Sequence, residues 1–563
     1  MTYQKEYTRW LSLATDPEIQ TALTAMTPAE MEDAFYRDLA FGTGGLRGVL
    51  GAGTNRMNIY TVAKATQGLA NYILKNASPV SCPLYPVPCI AISYDSRLKS
   101  DVFRKTAAAV FAANGIGVWL YPTLMPTPCL SYAVRALSCS AGIMITASHN
   151  PSQYNGYKVY GSDGCQITTE AASAILAEIN ALDIFADVQW GDFDSALSSG
   201  RIRTIPPEVY TAFTEEVKHQ SVLFGDAINR DLTIVYTPLN GTGLKPVTRA
   251  LRESGFTDIR IVPEQQEPDG TFPTCPYPNP EIREAMELGL RLCGETGADL
   301  LLATDPDCDR CGIAVSAPEG VRLLTGNEVG LLLLDFVCAQ RLKHGRMPAN
   351  PVFVKTIVTM DLAEKIASHY GVETVNVLTG FKFIGEVIGR LEEQGRADDF
   401  ILGFEESYGY LTGSYVRDKD AVDAAFMICE MFAYYKTRGI SLVEKLNEIY
   451  RTFGYCKNTL HSYAFEGSAG FAKMQDIMAS FRKGLSSVGG LPVEKLLDYS
   501  SGIDGLPPSD VLKFLLSGGC SVVVRPSGTE PKLKLYISVT APDAPTATTL
   551  ENQIISELEQ KLV

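Results

Sequence analysis

Three carboxylates stand at alternate positions in the segment 305–310, whose sequence is DPDCDR. In an extended chain the side chains of Asp305, Asp307 and Asp309 would point to the same side, and carboxylates that close repel one another unless a cation joins them. An EF-hand is excluded, because the glycine and the glutamate of such a loop are missing from their required positions. Ligands that are all oxygen favour magnesium. The segment therefore predicts a divalent metal site, with a solvated acidic turn as the alternative.

A hydroxyl, an imidazole and an amide follow a predicted buried strand in the segment 146–151, TASHNP. Ser148 is not the nucleophile elbow of a hydrolase, because that motif needs glycine two residues before and two residues after the serine. Lys158 adds a cation shortly afterwards. The residues alone leave open whether Ser148 and His149 do chemistry or whether the segment is a turn whose side chains bond to backbone.

Two glycine-containing segments could bind anions through exposed backbone amides. The segment 41–48, FGTGGLRG, holds the cation Arg47, follows no predicted strand and matches no dinucleotide or P-loop fingerprint. A flexible loop is its alternative interpretation. The segment 525–529, RPSGT, combines a guanidinium, two hydroxyls and a glycine between predicted strands, which suits the oxygens of a phosphate group. An ordinary hairpin turn is the competing interpretation there.

Two further polar side chains, Glu405 and Ser407, follow another predicted strand. A carboxylate and a hydroxyl together can recognise the hydroxyls of a sugar by hydrogen bonds. Lys355 and Lys382 precede them in the chain and could supply further contacts to a ligand. The alternative is that these lysines are merely solvated, as most lysines are.

These segments need a scaffold, and the hydrophobic pattern supplies three successive β-α-β-α-β units. The predicted strands lie at 90–94, 117–121, 142–146, 232–236, 259–262, 299–303, 352–358, 372–378 and 400–403. This repetition predicts three similar α/β domains that bind ligands at the loops after their strands.

The C-terminal part of the chain has a different pattern. Two β-rich runs, 521–524 and 533–539, flank the RPSGT segment, and a helix follows Pro545. We therefore expect a smaller α+β domain at this end. The expected division is 1–205, 206–324, 325–455 and 456–563.

The composition excludes several classes of protein. The chain has 563 residues, enough for several domains, with 46% hydrophobic and 20% charged residues, which is ordinary globular usage. The 49 Lys and Arg against 64 Asp and Glu leave a net charge of −15, which argues against binding to nucleic acid or to an anionic membrane. We expect neither a signal peptide nor a membrane span, and the 13 scattered cysteines are typical of reduced thiols. We expect a cytoplasmic protein.

Four of the segments occur in the order in which the α-D-phosphohexomutases carry their signature loops: TASHNP at 146–151, DPDCDR at 305–310, GFEES at 403–407 and RPSGT at 525–529. The chain resembles this family over nearly its whole length. The stretch GTGGLRG at 42–48 and the chain length are similar to the branch of phosphoglucomutase-2 and the bacterial phosphoglucomutases. The resemblance implies four domains around one central cleft.

The resemblance also implies roles for individual residues. Ser148 corresponds to the phosphoserine, and one Mg²⁺ per active site would be held by Ser148, Asp305, Asp307 and Asp309. The residues expected to flank the transferring phosphoryl group are Arg47, Lys158 and Arg310. Glu405 and Ser407 correspond to the sugar-binding residues. The residues expected to anchor the other phosphate are Arg525, Ser527, Gly528 and Thr529.

The implied reaction interconverts glucose 1-phosphate and glucose 6-phosphate. The phosphoserine passes its phosphoryl group to the free 6-hydroxyl, the resulting glucose 1,6-bisphosphate turns over in the cleft, and its 1-phosphoryl group returns to Ser148. The bisphosphate also serves as the primer. We expect Lys158 to handle the hydroxyl proton, with His149 as the alternative. The expected partners are small sugar phosphates, and the expected state is a monomer or a homodimer.

Some alternatives stay open at this stage. Phosphomannomutases, phosphopentomutases and glucose 1,6-bisphosphate synthases of the same family share the motifs. A phosphatase of the haloacid dehalogenase type is disfavoured, because its motif requires Thr or Val where this chain has Asp309. A non-catalytic sensor of sugar phosphates is disfavoured as well, since sensing needs no phosphoryl acceptor such as Ser148.

Overall fold

The computed structural model describes residues 3–42, 44–76, 85, 87–317, 320–465, 467–503, 505–527 and 532–562. In these ranges the chain forms four separate β-sheets with helices packed against them. No helix within these ranges is both long enough and apolar enough to cross a lipid bilayer.

Three short helices precede the first sheet: α1 (Tyr3–Leu13), α2 (Pro17–Ala25) and α3 (Pro28–Phe35). Helix α3 begins with a capping box, in which Thr27 and Glu30 each accept a hydrogen bond from the other's backbone N–H. The apolar faces of the three helices pack around the buried Trp10.

The first sheet has seven strands: β1 (Phe41–Gly42), β2 (Gly45–Val49), β3 (Cys89–Tyr94), β4 (Gly117–Leu120), β5 (Ala141–Ile145), β6 (Tyr154–Gly161) and β7 (Ile202–Thr204). Their order is β1-β2-β6-β5-β3-β4-β7, and β5, β3, β4 and β7 run parallel. The parallel strands are apolar because helices cover both faces of the sheet. These helices are α4 (Ile59–Asn76), α5 (Ser100–Ala113), α6 (Thr127–Ala136), α7 (Thr169–Asn180), α8 (Phe193–Ser198) and α9 (Pro207–His219).

The glycine-rich segment 41–48 differs from the expected loop without a leading strand. Strands β1 and β2 form an antiparallel hairpin there, and β2 also pairs with β6, with Arg47 opposite Gly156. The hairpin needs a backbone conformation available to glycine, because Gly45 has a φ of 127° and a Cβ there would lie 1.9 Å from the Tyr157 carbonyl oxygen. The segment is therefore an edge of the sheet beside the strand that carries Lys158.

The second sheet contains β8 (Ile234–Thr237), β9 (Ile259–Ile261), β10 (Leu300–Thr304), β11 (Cys311–Ala317) and β12 (Gly320–Leu324). The strand order is β12-β11-β10-β8-β9, and the acidic segment 305–310 is the turn between the antiparallel strands β10 and β11. The accompanying helices are α10 (Leu244–Glu253), α11 (Pro263–Gln266) and α12 (Arg283–Thr296).

The third sheet is formed by β13 (Val352–Thr356), β14 (Glu373–Val377), β15 (Phe400–Glu405) and β16 (Gly409–Leu411), in the order β14-β13-β15-β16. Glu405 is the last residue of β15. The helices of this part are α13 (Gly326–Lys343), α14 (Leu362–His369), α15 (Phe381–Glu393), α16 (Ala421–Thr437) and α17 (Leu442–Phe453).

The C-terminal sheet is antiparallel throughout and contains β17 (Tyr455–Ala464), β18 (Ser487–Val488), β19 (Leu491–Asp498), β20 (Leu512–Leu516), β21 (Cys520–Pro526) and β22 (Lys532–Ala541). The order is β17-β22-β21-β20-β19-β18, with α18 (Gly467–Arg482) and α19 (Ala544–Leu562) as its helices. Three α/β units followed by a smaller α+β unit are thus confirmed as the fold class. The division at 205, 324 and 455 stays a prediction, and Tyr455 already belongs to β17.

The hydrophobic cores show how the four units are joined. One continuous buried cluster extends from the first unit through the second and third. The fourth unit has its own core and contacts the third through an apolar cluster around Ile357, Tyr499 and Tyr536 and through hydrogen bonds from Lys513 and Ser521 to Asp361. The first three units therefore share one hydrophobic core, whereas the fourth has a separate one.

Candidate active site

Ser148 lies in the loop after β5, in a left-handed backbone conformation with a φ of 53°. Its Oγ donates a 2.7 Å hydrogen bond to Asp305 Oδ2 and lies 3.1 Å from His149 Nδ1. Its N–H donates to Thr146 Oγ1 at 2.8 Å. The serine is only 4% exposed, so its hydroxyl is held against the acidic turn of the second unit.

The acidic turn has a different shape from the extended segment that the sequence predicted. Cys308 adopts a left-handed φ of 54°, and Asp305 Oδ1 accepts hydrogen bonds from the N–H groups of Asp309 and Arg310 at 3.1 and 3.0 Å. The turn, not the alternation of a strand, brings the three carboxylates together: one oxygen from each of Asp305, Asp307 and Asp309 lies within 4.8 Å of the others.

These carboxylates fit a hard cation. All three are buried, and Asp307 Oδ1 and Asp309 Oδ1 are buried oxygens without a hydrogen-bond partner. Burial raises the pKa of Asp305 well above its ordinary value, and the negative charges of Asp309 and Asp307 raise it further. Unpaired carboxylate oxygens at this depth are costly unless a cation binds them, so the cluster can hold a metal ion.

Two lysines approach the acidic turn. Lys158 Nζ lies 2.7 Å from Asp307 Oδ2, and Lys419 Nζ lies 2.9 Å from Asp309 Oδ2. Burial acts to lower the pKa of Lys158, but Asp307 and Asp309 outweigh it and raise that pKa above the ordinary value. Asp309 likewise raises the pKa of Lys419, so both ammonium groups are charged at neutral pH and add positive charge to the acidic turn that Ser148 contacts.

The remaining residues expected around the transferring phosphoryl group carry positive charge or a neutral imidazole. Arg310 forms an ion pair with Glu281. Burial and the charges of Arg310 and Arg47 hold the pKa of His149 well below its ordinary value, so the imidazole is neutral. Arg47 is exposed on β2. Arg47 and Arg310 thus both lie close enough to His149 to lower its pKa.

Glu405 and Ser407 lie at the turn between β15 and β16. Glu405 Oε1 accepts a 2.9 Å hydrogen bond from the N–H of Gly380, and burial raises the pKa of this carboxyl to about 7 against the opposing charge of Lys419. Ser407 is partly exposed. The sugar-binding role of both residues stays a prediction.

The two lysines proposed as extra ligand contacts have different surroundings. Lys355 is fully buried, and its Nζ bonds to Thr359 O, Asp361 Oδ1 and Glu364 Oε1 at 3.2, 2.9 and 3.1 Å. Its three donors are used within the protein, so Lys355 is not merely solvated, and its role as a ligand contact stays a prediction. Lys382 lies in the first turn of α15, 5.0 Å from the centre of the Phe383 ring, and its role stays a prediction.

The predicted anchor for a second phosphate belongs to the fourth unit. Arg525 lies near the end of β21, opposite Lys534 of β22, and the Ser527 N–H donates to Lys532 O at 2.8 Å. Burial raises the pKa of Glu406 in the third unit, and the positive charge of Arg525 opposes this rise. Arg525 therefore lies near the third unit. Gly528 and Thr529 lie outside the described residues.

Sequence reasoning missed two residues whose side chains bond to the carboxylates of the acidic turn. Lys419 belongs to the charged stretch 417–420, RDKD, which could have been noticed as an unusual cluster between β16 and α16. Thr127, at the start of α6, donates from its N–H to Asp307 O and from its Oγ1 to Asp307 Oδ2, both at 2.9 Å. Nothing in the local pattern around Thr127 signals this contact with a loop that is distant in sequence.

Known proteins resemble the chain over all four units. Residues 38–184, 211–319, 325–453 and 467–556 match domains I, II and III and the C-terminal domain of the family described as phosphoglucomutase/phosphomannomutase. The phosphoglucomutase of Staphylococcus saprophyticus is 37% identical over 546 residues, covering 94% of this chain and 96% of that protein. The phosphoglucomutase of Staphylococcus aureus strain USA300 is 37% identical over 548 residues, covering 95% of each chain.

The fold agrees with a solved structure as well. The open form of parafusin, a phosphoglucomutase from Paramecium, superimposes with a TM-score of 0.70 at 19% identity, covering 93% of this chain and 95% of that one. Four matching domains and nearly full-length relatives lead to one conclusion: the chain belongs to the phosphoglucomutase/phosphomannomutase family of α-D-phosphohexomutases.

Proposed function

We propose that this protein is a phosphoglucomutase, which interconverts glucose 1-phosphate and glucose 6-phosphate through a phosphoserine at Ser148. The main supporting observation is the 2.7 Å hydrogen bond from Ser148 Oγ to Asp305 Oδ2, because it joins a nucleophilic hydroxyl to a buried acidic cluster surrounded by cations. The relatives named phosphoglucomutase support glucose as the sugar.

The proposed cofactor is one Mg²⁺ held by Asp305, Asp307, Asp309 and the Ser148 oxygen. The all-oxygen donor set and the two unpartnered buried carboxylate oxygens support this choice. When bound, Mg²⁺ neutralises charge on the oxygens of the transferring phosphoryl group.

In the first half-reaction, the 6-hydroxyl oxygen of glucose 1-phosphate bonds to the phosphorus of the phosphoserine while the bond from that phosphorus to Ser148 Oγ breaks. The hydroxyl proton must leave to a base. Lys158 and His149 are the two candidates. Lys158 is charged and paired with Asp307, whereas the imidazole of His149 is neutral and can accept a proton, and this difference favours His149.

The second half-reaction requires the glucose 1,6-bisphosphate to turn over before its 1-phosphoryl group returns to Ser148. Throughout this step the protein must hold the sugar and the phosphate that is not being transferred. We assign the sugar hydroxyls to Glu405 and Ser407, and the spectator phosphate to Arg525, Ser527, Gly528 and Thr529. The separate hydrophobic core of the fourth unit supports a fourth unit that can open and close over the cleft.

The alternatives are other activities of the same family. The enzyme could act on mannose or pentose phosphates, or it could carry out net synthesis of glucose 1,6-bisphosphate. The test is side-by-side turnover of glucose, mannose, glucosamine and pentose 1-phosphates with Mg²⁺ and the bisphosphate primer. We expect the highest kcat/KM for glucose 1-phosphate. A higher value for another sugar would replace glucose in the proposal, and net accumulation of bisphosphate would indicate a synthase.

We also propose that the partners are small sugar phosphates and not nucleic acid or membranes, and that the protein works in the cytoplasm as a monomer or a homodimer. The net charge of −15 supports the first point, since it disfavours nucleic acid and anionic lipid. Light scattering on the purified protein determines the oligomeric state.

A further inference from the structure

A buried arginine outside the signature loops contacts the Ser148 loop. Arg97, in the turn between β3 and α5, is 2% exposed. Its Nε and Nη2 donate to the Ser148 carbonyl oxygen at 3.2 and 2.5 Å, and its Nη1 donates to the carbonyls of Pro151 and Tyr154 at 2.9 and 3.0 Å. Nη2 also donates to the carbonyl of Asn150. All five hydrogen bonds therefore go to backbone of the segment that presents Ser148.

A second route reaches the same serine through Asp95. This carboxylate accepts hydrogen bonds from the N–H of Arg97 at 3.0 Å and from Thr146 Oγ1 at 2.5 Å. Thr146 Oγ1 in turn accepts the Ser148 N–H at 2.8 Å. Both sides of the Ser148 peptide backbone, its N–H and its carbonyl, are thus tied to the turn 95–97.

The second unit encloses the arginine from the opposite side. The guanidinium carbon of Arg97 lies 5.0 Å from the centre of the Phe272 ring, and Arg97 forms an isolated β-bridge with Gly270. A Cβ at Gly270 would lie 2.4 Å from the Leu98 N, so the two backbones are in close contact. The arginine is therefore held between the Ser148 loop and the unit that supplies the acidic cluster.

We infer that Arg97, with Thr146, is a positioning residue that holds Ser148 in its reactive backbone conformation, an inference that rests on the proposed phosphoserine function. A left-handed φ of 53° is unfavourable for a residue with a side chain, so surrounding contacts must maintain it. The carbonyl and N–H bonds described above do this from both sides of Ser148. Arg97 itself has no contact with the reacting oxygen and acts through the loop.

The test compares two variants with one matched control. Arg97→Lys keeps the charge but loses the planar fork of donors, and Thr146→Val removes the hydroxyl at nearly constant volume. Arg104→Lys is the control, because Arg104 also stacks on a ring, 4.3 Å from the centre of Tyr94, and bonds to Asp101 and to the Tyr121 carbonyl. The dephosphorylated proteins are mixed with saturating glucose 1,6-bisphosphate, and phosphate on Ser148 is followed by mass spectrometry.

We expect Arg97→Lys and Thr146→Val to be phosphorylated about 10- to 100-fold more slowly than the wild type, because small displacements of a reacting group have effects of this size. We expect kcat to fall in parallel while the KM for glucose 1-phosphate stays within about threefold, since the sugar and the spectator phosphate bind elsewhere. The control Arg104→Lys should lose about as much thermal stability as Arg97→Lys and keep the wild-type rate of phosphorylation.

The outcomes separate this inference from the proposed function. A wild type that never acquires phosphate on Ser148 would refute the proposed function. A wild type that does, together with folded variants that react at its rate or lose only as much as Arg104→Lys, would overturn the positioning role alone. If Arg97→Lys does not fold, the rate of Thr146→Val decides.

Discussion

Ser148 Oγ of the first unit donates a 2.7 Å hydrogen bond to Asp305 Oδ2 of the second unit, 157 positions later in the chain. The contact does not stand alone, because Thr127 of the first unit bonds to both the backbone and the carboxylate of Asp307. The proposed nucleophile and the proposed metal ligands therefore come from different sheets. Their distance depends on how the two units pack, and their continuous hydrophobic core keeps that packing rigid.

Replacing Ser148 by alanine should remove mutase activity by more than about a thousandfold, because no other group is proposed to carry the phosphoryl group. The fold should survive, since losing one hydroxyl costs about 1 kcal/mol. Ser152→Ala, in the same loop, is the control and should stay active. Mass spectrometry should find phosphate on the wild type and the control only, and an active, phosphate-free Ser148→Ala would refute the phosphoserine.

Asp307→Asn should raise the Mg²⁺ concentration for half-maximal activity by about tenfold or more, because one anionic oxygen ligand is lost. Asp299→Asn is the control, because Asp299 directly precedes β10, at the end of the strand opposite to the acidic turn, and pairs with Lys436. Titration of activity with Mg²⁺ after chelation measures the effect. Full activity of the exhaustively chelated wild type would show that the cluster has only a structural role.

Glu405→Gln should change the ranking of glucose against mannose 1-phosphate, because a carboxylate that accepts hydrogen bonds from sugar hydroxyls discriminates by geometry. The Mg²⁺ dependence should stay as in the wild type. We expect the ratio of the two kcat/KM values to move by about tenfold. An unchanged ratio with an altered metal response would place Glu405 in the metal site.

Arg525→Ala should raise the KM for both hexose monophosphates by about tenfold or more, because a charged bond to the spectator phosphate is lost in ground and transition states alike. More bisphosphate should be released per turnover, while Ser148 still becomes phosphorylated. Arg482→Ala is the control, since Arg482 pairs with Asp498 and Asp510 on the same unit. A normal KM without extra release would contradict the anchoring role.

Because the carboxyl group of Glu430 in α16 is buried, we expect the stability of the fold to depend on pH. Burial raises its pKa to about 7, although the Ser221 hydroxyl donates to Oε1 at 2.6 Å and opposes the rise. A carboxyl whose pKa is higher in the folded protein stabilises the fold below its unfolded pKa and loses that contribution as the pH rises through the folded value. Relative to Glu430→Gln, the wild type should lose about 3 kcal/mol between roughly pH 4.5 and 7.5.

Thermal unfolding of the wild type and Glu430→Gln across this range tests the prediction. The wild-type midpoint should fall relative to that of the variant as the pH rises. Two curves that stay parallel from acid to neutral pH would show that Glu430 has an ordinary pKa.

The local patterns of the sequence were sufficient for the architecture. Buried strands and amphipathic helices have different hydrophobic periods, so three α/β units and the β-rich tail could be read from the order of apolar residues. The capping box at Thr27 and Glu30 is equally local, since its hydrogen bonds join residues three positions apart. The four signature segments likewise identified the family without any knowledge of their distances.

What the sequence by itself determined is therefore the three parallel strands of each α/β unit, the two strands that flank the RPSGT segment and the chemical character of the loops that follow the strands. Only the tertiary structure decided that the acidic segment is a turn. It also decided that Lys355 forms ion pairs with Asp361 and Glu364, and that Lys419 forms one with Asp309. It also decided that Arg97 bonds to the Ser148 carbonyl, 51 positions away. The physical reason is that burial and long-range contacts arise from the packing of whole units, whereas spacing along the chain encodes only the hydrogen bonds and periodicities of neighbouring residues.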